Sequence, residues 1–283
     1  FTEPYFLGRN LSAGFDAFNE KQDFQTESSY DTNRFGGGIR FGFKLSEYVS
    51  NVVSIRGEET DVVNVDSTAS TFIQQNQGKR SAFRLGNVIS KDTRDSSITP
   101  SKGYRLSLSA EYSGFGGDID ALKTTASGSW HKEMMDDVVL SFGTTIGGIA
   151  ELGDDLPVFE NFFSGGNQIR GFDFGGIGPR DATTNDALGG RYMLSNSAEL
   201  SFPLGTSMKE AGVNGFVFAD GGLVTEFRDD PNVIDSRKYR VSVGTGIYWK
   251  SPMGPLRFEF GFPVVKAKED DTRVFNFSFG TRF

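Results

Sequence analysis

The chain is dominated by segments of about ten residues in which apolar residues alternate with small or polar ones, the pattern of a two-faced β-strand. The last segment shows this pattern most clearly, because its apolar face carries Phe275, Phe277, Phe279 and Phe283. Its opposite face carries Asn276, Ser278, Gly280 and Arg282. A chain made of such segments is predicted to be all-β, since a period of two does not fit a helix.

About twelve strands of this kind can be placed along the chain. They are expected near residues 8–18, 34–43, 50–61, 81–92, 102–113, 123–135, 137–150, 189–204, 212–226, 238–250, 255–264 and 273–283. The predicted fold class is an antiparallel transmembrane β-barrel, with about twelve strands present of the sixteen in the family barrel described below.

The two faces of the strands differ in a way that indicates a membrane protein. The apolar faces are rich in Phe, Leu and Val, and the opposite faces carry Gly, Ser and charges of both signs. A transmembrane β-barrel has this division, because its outer band meets lipid and its lumen is polar. A soluble β-sandwich is the alternative, but its polar face would meet bulk water. Helical membrane folds are excluded, since no apolar run approaches the roughly 18 residues that a spanning helix needs.

The lengths of the connections agree with an outer-membrane barrel. Counting back from a last strand that ends on the periplasmic side assigns the mostly short connections to the periplasm, near 44–49, 93–101, 136, 205–211 and 251–254. The same parity assigns the mostly longer ones to the outside, at 19–33, 62–80, 114–122, 151–188, 227–237 and 264–272. Short periplasmic turns and long external loops are typical of these barrels.

Charge and residue content exclude several classes of function. The formal net charge is −8, so the chain lacks the positive electrostatic field that binding to nucleic acid requires, and no nucleic-acid partner is expected. The absence of Cys excludes disulfides and zinc–thiolate sites. The single His131 is interpreted as an interface or lumen residue, because no hydrolase pattern surrounds it. No catalytic, metal or cofactor site is predicted.

The loop at 151–188 is predicted to fold into the barrel as a plug. A loop of this length is usually either functional or disordered. It contains Phe162, Phe163, Ile169 and Phe172, and such apolar side chains need a surface to pack on, which argues against disorder.

This loop also contains the motif Gln168-Ile-Arg-Gly-Phe172, and other motifs precede and follow it. They are Asp92-Thr-Arg-Asp95, Gly178-Pro179-Arg180, Asp186-Ala-Leu-Gly-Gly190, Glu199-Leu-Ser-Phe-Pro203, Phe218-Ala-Asp-Gly-Gly222 and Trp249-Lys-Ser-Pro-Met-Gly-Pro-Leu256. In this order they resemble the BamA-type superfamily of outer-membrane assembly and secretion proteins, whose loop motif is (V/I)RGF. A lone RGF tripeptide would carry little information.

The resemblance implies how residues 1–283 are organised. The family barrel has sixteen strands and follows periplasmic POTRA domains, whereas residues 1–6 resemble the turn before the fifth strand. We therefore expect residues 1–283 to form the transmembrane barrel domain without its first strands and without the POTRA domains. The plug-like loop at 151–188 lies within that domain.

The loop motif, Ile169 to Phe172, provides the candidate site. Strand parity directs Glu199 toward the lumen, whereas the direction of Asp220 stays open, because Phe216 and Phe218 would share its face. A guanidinium in a partly desolvated lumen needs carboxylate partners, so Arg170 is expected to contact Glu199 and Asp220. The resemblance implies the same contact. The alternative is that all three are solvated charges.

The last strand resembles the β-signal by which barrel precursors are recognised, through Phe275, Phe277, Phe279, Gly280 and Phe283. By resemblance, the function is assembly and insertion of β-barrel proteins into the bacterial outer membrane by strand pairing at a lateral seam, without chemical catalysis. A polypeptide secretion pore of the same superfamily and a passive channel are the alternatives. The implied partners are outer-membrane lipid, unfolded outer-membrane precursors and, through the missing N-terminal domains, periplasmic lipoproteins.

Overall fold

The computed structural model describes residues 1–251 and 254–279. Within these residues, twelve strands of at least five residues form most of the chain, which confirms the all-β prediction. They are β1 (Leu11–Phe24), β2 (Tyr30–Lys44), β3 (Val49–Val63), β4 (Gly78–Asp92), β5 (Gly103–Gly117), β6 (Ala121–Met135), β7 (Val138–Glu151), β8 (Tyr192–Pro203), β9 (Val213–Thr225), β10 (Arg240–Ser251), β11 (Gly254–Val265) and β12 (Phe275–Phe279).

The strands form one antiparallel sheet in chain order, from β1 to β12. A two-residue strand, Thr2–Glu3, pairs with β1 and makes the sheet thirteen-stranded; the sequence pattern did not predict it. Within the described residues, Thr2–Glu3 and β12 are the two end strands of this sheet. The architecture is that of an antiparallel β-barrel.

The outer and inner faces carry the predicted residue types. On the outside of β11 and β12, the ring of Phe258 lies 5.1 Å from that of Phe277, and Phe260 lies 5.3 Å from Phe275. On the inside of β11, Glu259 is fully buried. Gly280 and Phe283, which belong to the predicted β-signal, lie outside the described residues.

Several strands extend further on the external side than the sequence pattern predicted. The expected loop at 19–33 is largely a hairpin, in which β1 runs to Phe24 and β2 begins at Tyr30. The expected loop at 114–122 shrinks to residues 118–120. The residues by which β1 is extended, from 19 to 23, are all polar, so they lack the apolar alternation by which membrane strands are detected.

The long loop joins β7 to β8 and folds into the lumen, as predicted. Its side chains form an apolar cluster with the barrel wall that includes Phe162, Ile169 and Phe172, and the last two are at most 1% exposed. A second apolar cluster forms where the external loops meet, and consists of Tyr30, Val62, Ala69, Ile73, Val158, Leu188 and Phe227.

The helical segments of the described residues are short. They are α1 (Gln25–Ser28), α2 (Thr71–Gln74), α3 (Thr206–Glu210) and the 3₁₀ turns Phe6–Gly8 and Val158–Glu160. None of the helices in this part of the chain is long and apolar enough to cross a membrane. The remaining regular structure is two pairs of two-residue strands in the loops, Gly171–Phe172 with Thr272–Arg273 and Arg180–Asp181 with Val233–Ile234.

Candidate functional site

A close approach of two backbones positions the loop motif against the barrel wall. Gly171 has a φ of +94°, and a Cβ added there would lie 3.2 Å from the Cβ of Ser242 and from the backbone of Gly261. On β11, a Cβ on Gly261 would lie 2.6 Å from the nitrogen of Gly171. Because neither residue has a side chain, the loop lies directly on the inner face of β10 and β11.

This approach brings Arg170 to a carboxylate of β9. The Arg170 side chain is 1% exposed, and its Nε and Nη2 atoms donate to the two carboxylate oxygens of Asp220 at 2.6 and 2.7 Å. The backbone nitrogen of Arg170 donates to the same carboxylate at 3.0 Å. Such a bidentate contact fixes both the position and the orientation of the guanidinium.

Strand β8 supplies the second predicted partner. Nη1 of Arg170 donates to Glu199 at 2.7 Å, and Nη2 donates to the hydroxyl of Ser197 at 3.2 Å. Glu199 and Asp220 both face the lumen, since Ser197 is paired with Asp220 across β8 and β9. The structure therefore brings Arg170, Glu199 and Asp220 together.

Two further charged residues of the site were not predicted from the sequence, and both come from β11. Glu259 lies 3.3 Å from Nη1 of Arg170. Arg257 bridges the wall carboxylates, because it donates to Glu199 at 2.7 Å and to Glu259 at 3.1 Å. The alternation in this strand already placed both residues on the inner face, but nothing in the sequence paired them with the loop. We call Glu199, Asp220, Arg257 and Glu259 the acidic cluster.

Aromatic rings complete the surroundings of the two guanidinium groups. Cζ of Arg170 lies 3.4 Å from the ring centre of Phe218, and Cζ of Arg257 lies 4.3 Å from that of Phe216. Both rings share the inner face with Asp220 and are buried, Phe216 at 1% and Phe218 at 5% exposure. The stacked cations and the loop keep these rings out of the lumen water, which explains how apolar rings and a carboxylate occupy one face.

The site also contacts the last strand. The side-chain amide of Asn276, on the inner face of β12, donates to Asn167 of the loop at 2.7 Å and to Glu259 at 3.3 Å. The loop, the acidic cluster and β12 therefore form one continuous hydrogen-bonded network.

His131 lies apart from this network. Its Nδ1 atom is 2.8 Å from the hydroxyl of Ser141 on the neighbouring strand β7. Across residues 1–251 and 254–279, no group of His, Asp and Glu side chains is arranged to hold a metal ion. Chemically, the arrangement around Arg170 is suited to holding a loop in a fixed position.

Comparisons with known proteins cover the whole chain. Residues 1–283 match the Omp85 superfamily domain. The chain is 30% identical over 289 residues to the outer membrane protein assembly factor BamA of Nitratidesulfovibrio vulgaris, a match that covers 100% of this chain and 36% of the relative. It is 27% identical over 325 residues to BamA of Neisseria meningitidis, covering 100% of this chain and 41% of that protein.

A solved structure shows the same fold. The crystal structure of BamA from Haemophilus ducreyi lacking POTRA domains 1–3 matches with a TM-score of 0.86 and 22% sequence identity. The match covers 99% of this chain and 60% of that one. The chain spans less than half the length of the two curated relatives, at 36% and 41%.

Proposed function

Because this chain belongs to the Omp85 superfamily, we propose that the protein assembles and inserts β-barrel proteins into the bacterial outer membrane. The observation that carries the proposal is the match of the whole chain to two relatives named as outer membrane protein assembly factors. The barrel itself lies in the outer membrane.

The physical problem that such a protein solves is the unpaired backbone of a precursor strand. Each unsatisfied N–H or C=O group is costly in hydrocarbon, so a single strand does not enter the bilayer alone. A strand edge lends the missing hydrogen bonds, as in other cases of strand addition. Assembly of this kind makes and breaks no covalent bond, so no catalytic residue is required.

Strand β12 is the proposed edge. Among the described residues it pairs with β11, over the five positions from Phe275 to Phe279. An incoming precursor strand would pair with the other side of β12, at the lateral seam of the barrel.

The loop motif is proposed to hold this edge in place. Arg170 anchors the loop on the acidic cluster, and Asn276 connects β12 to both the loop and Glu259. Movement of the loop would therefore reach β12 through direct contacts. Outer-membrane lipid, unfolded precursors and periplasmic lipoproteins are the proposed partners.

A polypeptide secretion pore of the same superfamily is the alternative function. Such a pore moves its cargo along the barrel axis. The external loops pack on one another through the cluster around Tyr30, Ile73 and Phe227, and the long loop lies in the lumen below them. An axial route requires this packing to break, whereas pairing at the seam does not, and this difference favours assembly.

Depletion of the protein in its own cells separates the two functions. An assembly factor is expected to lower the amounts of many outer-membrane barrels at once, measured by quantitative mass spectrometry of the outer membrane. Loss of a single exported protein, with other barrels unchanged, would instead identify a secretion pore.

A further inference from the structure

The long loop has a second charged anchor, ten positions before Arg170. Glu160 is 9% exposed, and its two carboxylate oxygens accept from Nη2 and Nη1 of Arg84 at 2.6 and 3.2 Å. Arg84 lies on the inner face of β4, on a different part of the wall from the acidic cluster. Nothing in the sequence pointed to this contact.

The wall around Arg84 is predominantly cationic. Arg84 also donates to Glu58 at 2.8 Å and to Glu111 at 3.2 Å. Three more cations lie in the same group, as Arg34 contacts Glu58, Arg56 contacts Glu111, and Lys123 donates to the backbone oxygen of Glu160. We call Arg34, Arg56, Arg84 and Lys123, with Glu58 and Glu111, the basic cluster. Its four cations face two wall carboxylates, and Glu160 of the loop supplies a third.

The two anchors are opposite in sign. On the β8–β11 side, three wall carboxylates and one wall cation receive Arg170. On the β2–β6 side, the basic cluster receives Glu160. A loop shifted so that either residue met the other cluster would bring like charges together in a poorly solvated space, which is strongly unfavourable. The charges therefore select one placement of the loop.

We propose that Glu160 is a positioning residue, and that Glu160 and Arg170 together make the loop a two-point brace across the lumen. Each contact holds the other near its partner, because a tethered group has a high effective concentration. Releasing Glu160 is therefore expected to loosen the segment around Arg170 although no contact of Arg170 is altered. The consequence for barrel assembly rests on the function proposed above, whereas the brace itself does not.

A distance measurement in the membrane tests the brace. Residues 1–283 contain no Cys, so cysteines introduced at Gln168, at the start of the motif, and at Asp136, in a periplasmic turn, can carry spin labels. In the intact protein in lipid vesicles, we expect one narrow distance between the labels. In Glu160→Gln, a broader second component should appear.

The matched control is Glu59→Gln, next to Glu58 in sequence. Glu59 is half exposed and pairs with Lys79 away from the loop, so its loss should leave the distance unchanged. Glu160→Asp keeps the negative charge, so most of the label pairs should keep the narrow distance that Glu160→Gln loses. If the broadening came from a general loss of packing, Glu160→Asp would not narrow the distance in this way. Arg84→Lys serves as the second variant should Glu160→Gln fail to fold, and it should broaden the distance because it removes the forked contact.

An unchanged distance in folded Glu160→Gln or Arg84→Lys would overturn the brace. Broadening in Glu59→Gln to the same extent would overturn it as well. Barrel levels in cells carrying Glu160→Gln are measured separately and are expected to fall. If the depletion experiment shows no loss of barrels, the proposed function is wrong. The distances between the spin labels still test the brace, because they do not depend on barrel assembly.

Discussion

Replacing Arg170 with Ala removes the guanidinium that contacts three wall carboxylates at once. Asp220 then loses two side-chain hydrogen bonds, and Glu199 and Glu259 keep Arg257 as a shared cation. Breaking a buried charge pair in this way costs ~3–5 kcal/mol. The equilibrium between docked and released loop should therefore shift by roughly a hundred- to a few-thousand-fold toward release.

Proteolysis reports this shift directly. Phe172 is 1% exposed in the docked loop, so chymotrypsin can cut after it only when the loop is released. Cleavage at Phe172 in the folded barrel should be faster by about the same factor when opening is rapid and cleavage is slow. The matched control is Arg237→Ala, since the Arg237 side chain is 70% exposed and lies in another loop.

A second substitution checks the electrostatic origin of the effect. Asp220→Asn in the Arg170→Ala background removes the carboxylate that was left without its main partner, so part of the docking should return. Equal cleavage at Phe172 in Arg170→Ala and Arg237→Ala would refute the reasoning. So would a double variant that is released further than Arg170→Ala alone.

Three further predictions concern other parts of the chain. Gly171→Ala should release the loop, because the new Cβ would lie 3.2 Å from the barrel wall and the φ of +94° disfavours Ala. Faster chymotrypsin cleavage at Phe172 would report this release, and cleavage at the wild-type rate would contradict it. In the turn between β4 and β5, partial burial acts to raise the pKa of Asp95, but hydrogen bonds from Ser101 and the following residue hold that pKa at about 2. Because the pKa is depressed on folding, this turn should be stable above the ordinary Asp range and should lose protection as the pH falls toward 2. Hydrogen exchange at the Ser101 amide measures the loss, and the same profile in Asp95→Asn would contradict it. A covalent lock between Phe279 and the strand that closes against it should stop barrel assembly in cells while the barrel stays folded; assembly at the normal rate would contradict strand pairing at the seam.

The membrane-spanning part of the fold was predictable from sequence because lipid imposes a strict alternation on every strand. The predicted strand ends were wrong on the external side, outside the lipid bilayer. Residues 19–23 of β1 are all polar, so the hairpin up to Phe24 looked like a loop. The two-residue strand Thr2–Glu3 is too short for any period to appear.

The candidate site was predictable only in part. The alternation along the strand determined that Glu199 faces the lumen. The direction of Asp220 depended on whether the loop covers Phe216 and Phe218, and no local sequence pattern predicts that contact. Pairs such as Arg84 with Glu160 depend on the path of the loop through the lumen. Their residues lie far apart in the chain, and alternation says only that Arg84 faces inward.

In the proposed function, β12 lends its edge to many different barrel precursors. The most direct test places a photo-crosslinking residue at Phe279, on the outer face of β12, and identifies the captured proteins in growing cells. A matched control carries the same group at Phe142, which is 47% exposed on the outside of β7, away from the seam. We predict crosslinks from position 279, and not from 142, to the terminal strands of many outer-membrane precursors. Capture of one exported protein alone, or equal capture of precursors at both positions, would contradict the account.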